Sequence, residues 1–424
     1  MAAAYSRRQF LLGSAGFVAA AAGGATFSRF VAAASAGSLP APAQSGIEHV
    51  VVVMMENRSF DHLIGWLPGA DGRQAGLSFP DGNGTQHSTY HLTDLMGCAH
   101  PDPDHSFEGG RAQYDLGKAD GWLRSGANDE YALGYYLQDD LAFWGAAARD
   151  WTVCDRYFAP ILGPTYPNRL YQHAGTTDRI YNSTATSQLP TIWDRLAAAG
   201  LKGTYYFGDI PFTALWGDKY VGISRPYTEF LVDCASGNLP QVSLVDPRFA
   251  GEDQGTSNDD HPHADVRVGE RFLADVYNAV TRGPGWQNTV LVVNYDEWGG
   301  FFDHVPPPLG PDTQPLFERR GFRVPALIVS PFAKRGLVAH DVYDHTSVLK
   351  LIEWRWGLPS LQPRDAAARN LAEALDFSAP NTTAPVYVVP DIVATPCAPA
   401  PVTSGTEIEL PDLYAIAQKA GFPV

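Results

Sequence analysis

Thiolate ligands, positive charge and long apolar runs are all scarce in this chain. It has only four cysteines in 424 residues, Cys98, Cys154, Cys234 and Cys397. None lies in a CxxC pair, which argues against a zinc-thiolate knuckle. Basic residues are outnumbered, 30 Lys and Arg against 46 Asp and Glu, for a net charge of −16. Such a surface repels polyanions, so nucleic acid is not an expected partner. It draws no help from anionic bilayers either, but it leaves a zwitterionic lipid or a small phosphate ester open as substrate. Beyond the N-terminal stretch no run is long and apolar enough to span a bilayer. Internal repeats and coiled-coil heptads are also missing. What is plentiful is apolar mass, 45% of residues, enough for a large core. Glycine (41) and proline (33) are abundant and imply many ordered loops.

The N-terminus reads as an export signal. Paired arginines in Ser6-Arg-Arg-Gln-Phe-Leu-Leu12 precede a weak Ala/Gly-rich stretch, with small-residue cut sites at Ala34-Ser-Ala36 or Ala41-Pro-Ala43. This is the twin-arginine pattern. It predicts a signal peptide over 1–43, passage through the Tat export machinery, and a destination in the periplasm, the cell envelope or outside the cell. A catalytic domain over 44–376 and a Pro/Ala-rich tail over 377–424 with a docking helix at Pro411–Ala420 follow. The four cysteines would arrive in an oxidising compartment, where they allow three full pairings.

Apolar runs at Val50–Met55, Gly203–Phe207, Gln241–Val245, Thr289–Tyr295 and Val324–Val329 read as central parallel strands covered on both faces. Between them lie helices at Thr191–Ala199, Ala264–Thr281 and Thr346–Trp356. The expected fold is α/β, a doubly wound, mostly parallel central sheet with helices on both faces, in one large domain.

Two predicted strands end in hard oxygen donors, Glu56-Asn57 and Asp296-Glu297. Ligands gather outside the carboxyl ends of such strands, and oxygen donors suit a hard divalent cation. In Gly163-Pro-Thr165-Tyr-Pro-Asn-Arg169 a hydroxyl opens a helix, where the dipole and free amides favour an anion. Thr165 is a candidate nucleophile; the plain alternative is a Thr N-cap. His105, in Asp102-Pro-Asp-His105, and His261, in Asp259-Asp-His-Pro-His263, are candidate proton donors for a leaving alcohol. The His261/His263 pair has a second reading as a zinc site. Trp66, Phe107, Tyr166, Trp298 and Phe301 are candidates for an apolar approach, against ordinary core packing.

Taken together, Glu56-Asn-Arg-Ser-Phe-Asp-His62, Gly163-Pro-Thr-x-Pro-Asn-Arg169, His261-Pro, Asp296-Glu297 and Phe302-Asp-His-Val-Pro-Pro307 resemble, in the same order, the bacterial phospholipase C and acid phosphatase family, which includes the plant non-specific phospholipases C. Leu239-Pro-Gln-Val-Ser243 and Asp344-His-Thr-Ser-Val348 extend the match over roughly residues 47–360. The resemblance implies an alkaline-phosphatase-like fold. It also implies hydrolysis of a phosphate ester through a phospho-Thr intermediate at one divalent metal ion, whether Ca, Mg, Mn or Zn. It would make Thr165 the nucleophile, with Glu56, Asn57, Thr165, Asp296 and Glu297 as metal ligands. His261 would be the general acid and His105 would assist at the phosphate, with Asn57, Asn168 and Arg169 as substrate contacts. One departure is Asp296-Glu-Trp298-Gly-Gly, where several lipases of the family have Asp-Glu-Asn-Asp-Gly. A phospholipase C that makes transient contact with a membrane surface is the first expectation. The alternatives are a broad acid phosphatase and a non-catalytic periplasmic phosphate- or metal-binding protein.

Overall fold

Continuous apolar runs, rather than alternating ones, build the centre of the structure. The computed structural model describes residues 39–398 and 410–424; the twin-arginine segment lies outside them. The main sheet has eight strands: β1 (His49–Met55), β2 (Thr152–Cys154), β3 (Gly203–Phe207), β4 (Ser224–Pro226), β5 (Val242–Val245), β6 (Thr289–Tyr295), β7 (Ala326–Val329) and β8 (Val338–Ala339). Their order across the sheet is β8-β2-β7-β6-β1-β5-β3-β4. Every residue of β6 and all but the first of β1 are buried, so both faces of the centre are covered, as the absence of alternation requires.

The sheet is parallel except at β7, which runs antiparallel to both β6 and β2. The Val324–Val329 run was expected to be parallel. A parallel return needs a crossover of a dozen residues or more, usually a helix. Between β6 and β7 the chain forms loops and a single short 3₁₀ turn at Pro315–Phe317, so it comes back antiparallel. The edge strands β4 and β8 and the neighbouring β2, two or three residues each, are too short to leave a sequence signal.

Register places the chemistry. Met55 pairs with Tyr295 and Val53 with Val245. Glu56, Asp296 and Asp246 therefore step off three neighbouring parallel strands at nearly the same level. The N–H of Asp296 donates to the Met55 carbonyl at 3.1 Å, tying two of these exits together.

The helices fall close to the expected ranges, at Ile192–Ala198, Val266–Arg282, His345–Trp356 and Leu410–Ala420. Asp265 caps the second through the Arg267 N–H, and Asp344 caps the third through the Thr346 N–H, satisfying donors the helix leaves open. The cysteines form one bridge rather than two. Cys98 joins Cys397, 299 residues apart, while Cys154 in β2 and Cys234 in the helix Tyr227–Ser236 are buried as thiols. Both behave as small core hydrophobes.

Candidate active site

Thr165 is the first residue of the helix Thr165–Ala174, and its N-cap is Pro164. It is not an N-cap threonine. Its hydroxyl donates to Glu56 Oε1 at 3.0 Å. Asn168 and Arg169 follow at the i+3 and i+4 positions and share its face of the helix.

Arg169 occupies the centre. Its Nε donates to Asp296 Oδ2 and its Nη1 to Asp246 Oδ1, each at 3.1 Å, while Nη2 donates to the Met55 carbonyl at 3.2 Å and lies 3.7 Å from Glu56 Oε2. One buried guanidinium thus serves all three strand-end carboxylates. Three of its five N–H groups are engaged by the protein in aligning these carboxylates. Asn168 is likewise committed. Its Oδ1 accepts from the Ile161 N–H, and its Nδ2 donates to the carbonyls of Gly163 and Pro164. It braces the loop that presents Thr165 instead of reaching outward. The amide cradle expected at the helix start is also narrower than anticipated. The Tyr166 N–H donates to Asn182 Oδ1 at 2.8 Å, and Pro167 has no N–H.

Asn57 links the two acidic motifs. Its N–H donates to Asp296 Oδ1 at 3.1 Å, and its Nδ2 lies 3.1 Å from His105 Nε2. His105 Nδ1 is 2.7 Å from the Pro103 carbonyl. That contact makes Nδ1 the donor and turns Nε2 toward Asn57. Glu297 Oε1 lies 3.9 Å from the same Nε2, and Glu297 Oε2 accepts from the Gly299 N–H at 2.8 Å. Asn57 adopts φ +60°, a conformation of the kind that concentrates at functional sites. Gly299, at φ +64°, is obligatory opposite it: a Cβ there would sit 2.0 Å from the Asn57 carbonyl oxygen.

His261 reaches the cluster from the loop before the helix Val266–Arg282. Its ring centroid is 6.3 Å from that of His105, and its Nε2 is 3.7 Å from Asp102. Arg58 holds this loop, donating to the carbonyls of Asp260 (2.6 Å) and His261 (3.1 Å). The Glu56 N–H donates to the Asp259 carbonyl at 2.8 Å. Arg58 Nη1 also meets His62 Nε2 at 2.8 Å; burial, reinforced by Arg58, holds His62 well below the usual imidazole range, so it accepts that bond as a neutral ring. The rest of the first motif is scaffolding. Arg323 bridges Asp61 and Asp303 at 3.0 and 2.9 Å. Trp298, at the departure from the family pattern, is buried against Phe322 and donates to Gln113. Phe107, Trp298 and Phe301 are core residues, and of the expected apolar approach only Tyr166 lines the pocket beside Thr165.

The electrostatics follow from crowding acids together. Burial, then repulsion from Asp296, pushes Glu56 well above the usual carboxylate range, with Arg169 opposing. Burial raises Asp246 to about 6 against the pull of Arg169, and raises Asp259 to about 6 against that of His261. Such repulsion is relieved by a proton or a cation. The donors fit a hard divalent ion. Glu56 Oε2 and Asn57 Oδ1 are buried and accept no hydrogen bond among the described residues, a costly state for a buried acceptor.

Three residues of the site were not singled out from sequence. Asp246 follows a predicted strand directly, the same signal that identified Glu56. Glu252 and Asp259 come from the loop 250–263 and place carboxylate oxygens within 4.8 Å of one another and of Glu56. Asp102, His105 and His261 form a second such group, and Asp253, His261 and His263 a third. A small cavity of about 10 Å³ beside Thr165 is lined by Glu56, Thr165, Tyr166, Asn182, Glu252 and Leu410.

Comparison with known proteins places these residues in a wider set. Residues 47–359 match the model of a family described as the phosphoesterase family. The chain is 32% identical to non-specific phospholipase C6 of Arabidopsis thaliana over 81% of this chain and 75% of that protein. It is 31% identical to non-hemolytic phospholipase C of Pseudomonas aeruginosa over 97% of this chain and 69% of that one. Among solved structures, a protein in the alkaline phosphatase superfamily from Vibrio parahaemolyticus aligns at TM-score 0.39 and 11% identity, covering 77% of this chain and 71% of that one.

Proposed function

Because this chain belongs to the phosphoesterase family, we propose that the cluster at the carboxyl ends of β1, β5 and β6 is the active centre of a phospholipase C. The protein is a phosphoric ester hydrolase. The finer reading is that it cleaves a phospholipid to diacylglycerol and a phosphorylated headgroup. The observation that carries it is the 3.0 Å bond from the Thr165 hydroxyl to Glu56 at a helix start, beside strand-end acids that one arginine only partly neutralises.

Glu56, Asn57, Thr165, Asp296 and Glu297 would hold a divalent ion. When bound, such an ion neutralises charge on the phosphoryl oxygens and on the nucleophile. The remaining work falls to the protein. Thr165 Oγ1 attacks phosphorus while its proton passes to Glu56 Oε1. The bond from phosphorus to the glyceride oxygen breaks, and His261 gives that oxygen a proton. A water molecule then attacks the phospho-Thr while giving a proton to His261, Glu56 returns its proton to Thr165 Oγ1, and the phosphorylated headgroup leaves. His105 and Asn57 orient the phosphoryl group, and Arg169 keeps the carboxylates aligned. Alignment and charge stabilisation supply most of the rate.

The export reading rests on the paired Arg7 and Arg8 and draws support from the Cys98–Cys397 bridge, a feature of oxidising compartments.

Thr165→Ala and Glu56→Ala are each expected to lower turnover of an aryl phosphodiester by about 10³-fold or more, with the thermal midpoint of Thr165→Ala close to native. Native turnover in both variants would refute the assignment. Product analysis decides the finer reading: phosphocholine released from phosphatidylcholine supports it, and intact phosphatidylcholine beside rapid turnover of an aryl phosphomonoester indicates a phosphomonoesterase.

A further inference from the structure

The pocket beside the nucleophile has one wall from a distant part of the chain. Leu410, the first residue of the helix Leu410–Ala420, lines it together with Glu56, Thr165, Tyr166, Asn182 and Glu252. Leu410 is the only wholly apolar side chain of the six. The helix is firmly seated. Leu413 and Ala417 are fully buried, Phe422 just beyond it is nearly so, and the helix packs on the turn Phe212–Trp216. Phe212 of that turn meets the Tyr166 ring edge-on at 5.1 Å. The turn on which the helix packs thus reaches Tyr166, the residue next to Thr165, through Phe212.

The remaining space, about 10 Å³, is no more than one water needs. A phosphoryl group with its alcohol enters only by displacing a wall. Glu56 and Thr165 are fixed by the chemistry, Glu252 shares a carboxylate group with Glu56 and Asp259, and Tyr166 and Asn182 are tied to the helix start by the Tyr166 N–H bond. Leu410 makes no polar bond through its side chain, so moving it costs only packing.

We propose that Leu410 is a specificity-determining residue, the apolar wall that sets how bulky a phosphoric ester the site admits. The inference rests on the phosphoesterase reading above and adds which side chain sorts its substrates.

The test uses the full chain and 4-nitrophenyl phosphodiesters that differ only in the second alcohol, methyl or octyl, so that the bond broken is the same. The ratio of kcat/KM for octyl over methyl reads the pocket. Leu410→Ala is expected to raise this ratio about tenfold or more, in the range that a few methylenes command in an apolar pocket, and Leu410→Trp to lower it. If Leu410→Ala fails to fold, Leu410→Val carries the same comparison with a smaller rise. Turnover of both esters with ratios within about twofold of native in every folded variant overturns the proposal alone. No turnover of either ester by the native chain, with any divalent ion, overturns the phosphoesterase reading and this inference with it.

Discussion

Arg169 shows how much a single side chain decides here. It is buried and faces Glu56, Asp246 and Asp296 at once. Burial lowers its affinity for a proton, but the surrounding acids, Asp246 first, outweigh that and keep it charged. Its planar fork is suited to several carboxylates in a way a lysine ammonium is not. Removing one partner of a buried ion pair strands the others, at a typical cost of about 3–5 kcal/mol. Arg169→Ala is therefore expected to lose stability of that order in chemical denaturation. Added Mg²⁺ or Ca²⁺ should restore part of it, because a cation then answers the same three acids. A variant as stable as the native chain in chelator would show that the acids do not depend on Arg169. At this scale the sequence was readable in part. Thr165, Glu56, Asn57 and Asp296 stood out because each follows a strand or opens a helix. The inward turn of Asn168 and Arg169 did not, since a helix repeat gives the face a side chain shares and not the partner it finds there.

Between elements, buried carboxylates also serve as joints. Glu270, on the helix Val266–Arg282, accepts the N–H groups of Phe143 and Trp144 at the start of the helix Trp144–Asp150. Burial, followed by repulsion from Asp260, lifts its carboxyl to about 8. In the unfolded chain an ordinary glutamate titrates near 4.3. Between these values the native state holds a proton that the unfolded state has released, so stability falls as pH rises. The contribution is whole below about pH 4 and gone above about pH 8. Glu270→Gln should remove this part of the slope, measured by urea denaturation at several pH values between 5 and 8. An unchanged slope would mean that Glu270 does not carry it. The element scale was the most legible in the sequence. Long apolar runs marked the five principal strands nearly to the residue, and Asp-capped amphipathic stretches marked the helices. The antiparallel direction of β7 escaped because direction depends on what connects two strands, and the Gly/Pro-rich loop 296–325 carries no periodicity from which to read its path.

At the scale of the whole molecule, the sheet order turns a linear scatter of motifs into one centre. Residues 56, 246 and 296 lie far apart in sequence, yet they exit adjacent strands because β1 sits between β5 and β6. The helix bearing Thr165 and Arg169 then closes over those three exits. The loops bearing His105 and His261 meet at the same place, the latter clamped by Arg58. The Cys98–Cys397 bridge fastens the tail to the body near that loop, where the Cys397 N–H donates to the Gln254 carbonyl at 2.8 Å. The Thr165 hydroxyl bonds to one of the three strand exits, Glu56, and its reaction with phosphorus is the claim the account depends on. Acid quenching during turnover of an aryl phosphodiester, followed by mass spectrometry of the peptides, tests it directly. The account predicts a phosphoryl adduct on Thr165 that is absent from Thr165→Ala. A stable adduct on another residue, or an initial burst of product from the Thr165→Ala variant equal to that of the native chain, would contradict it.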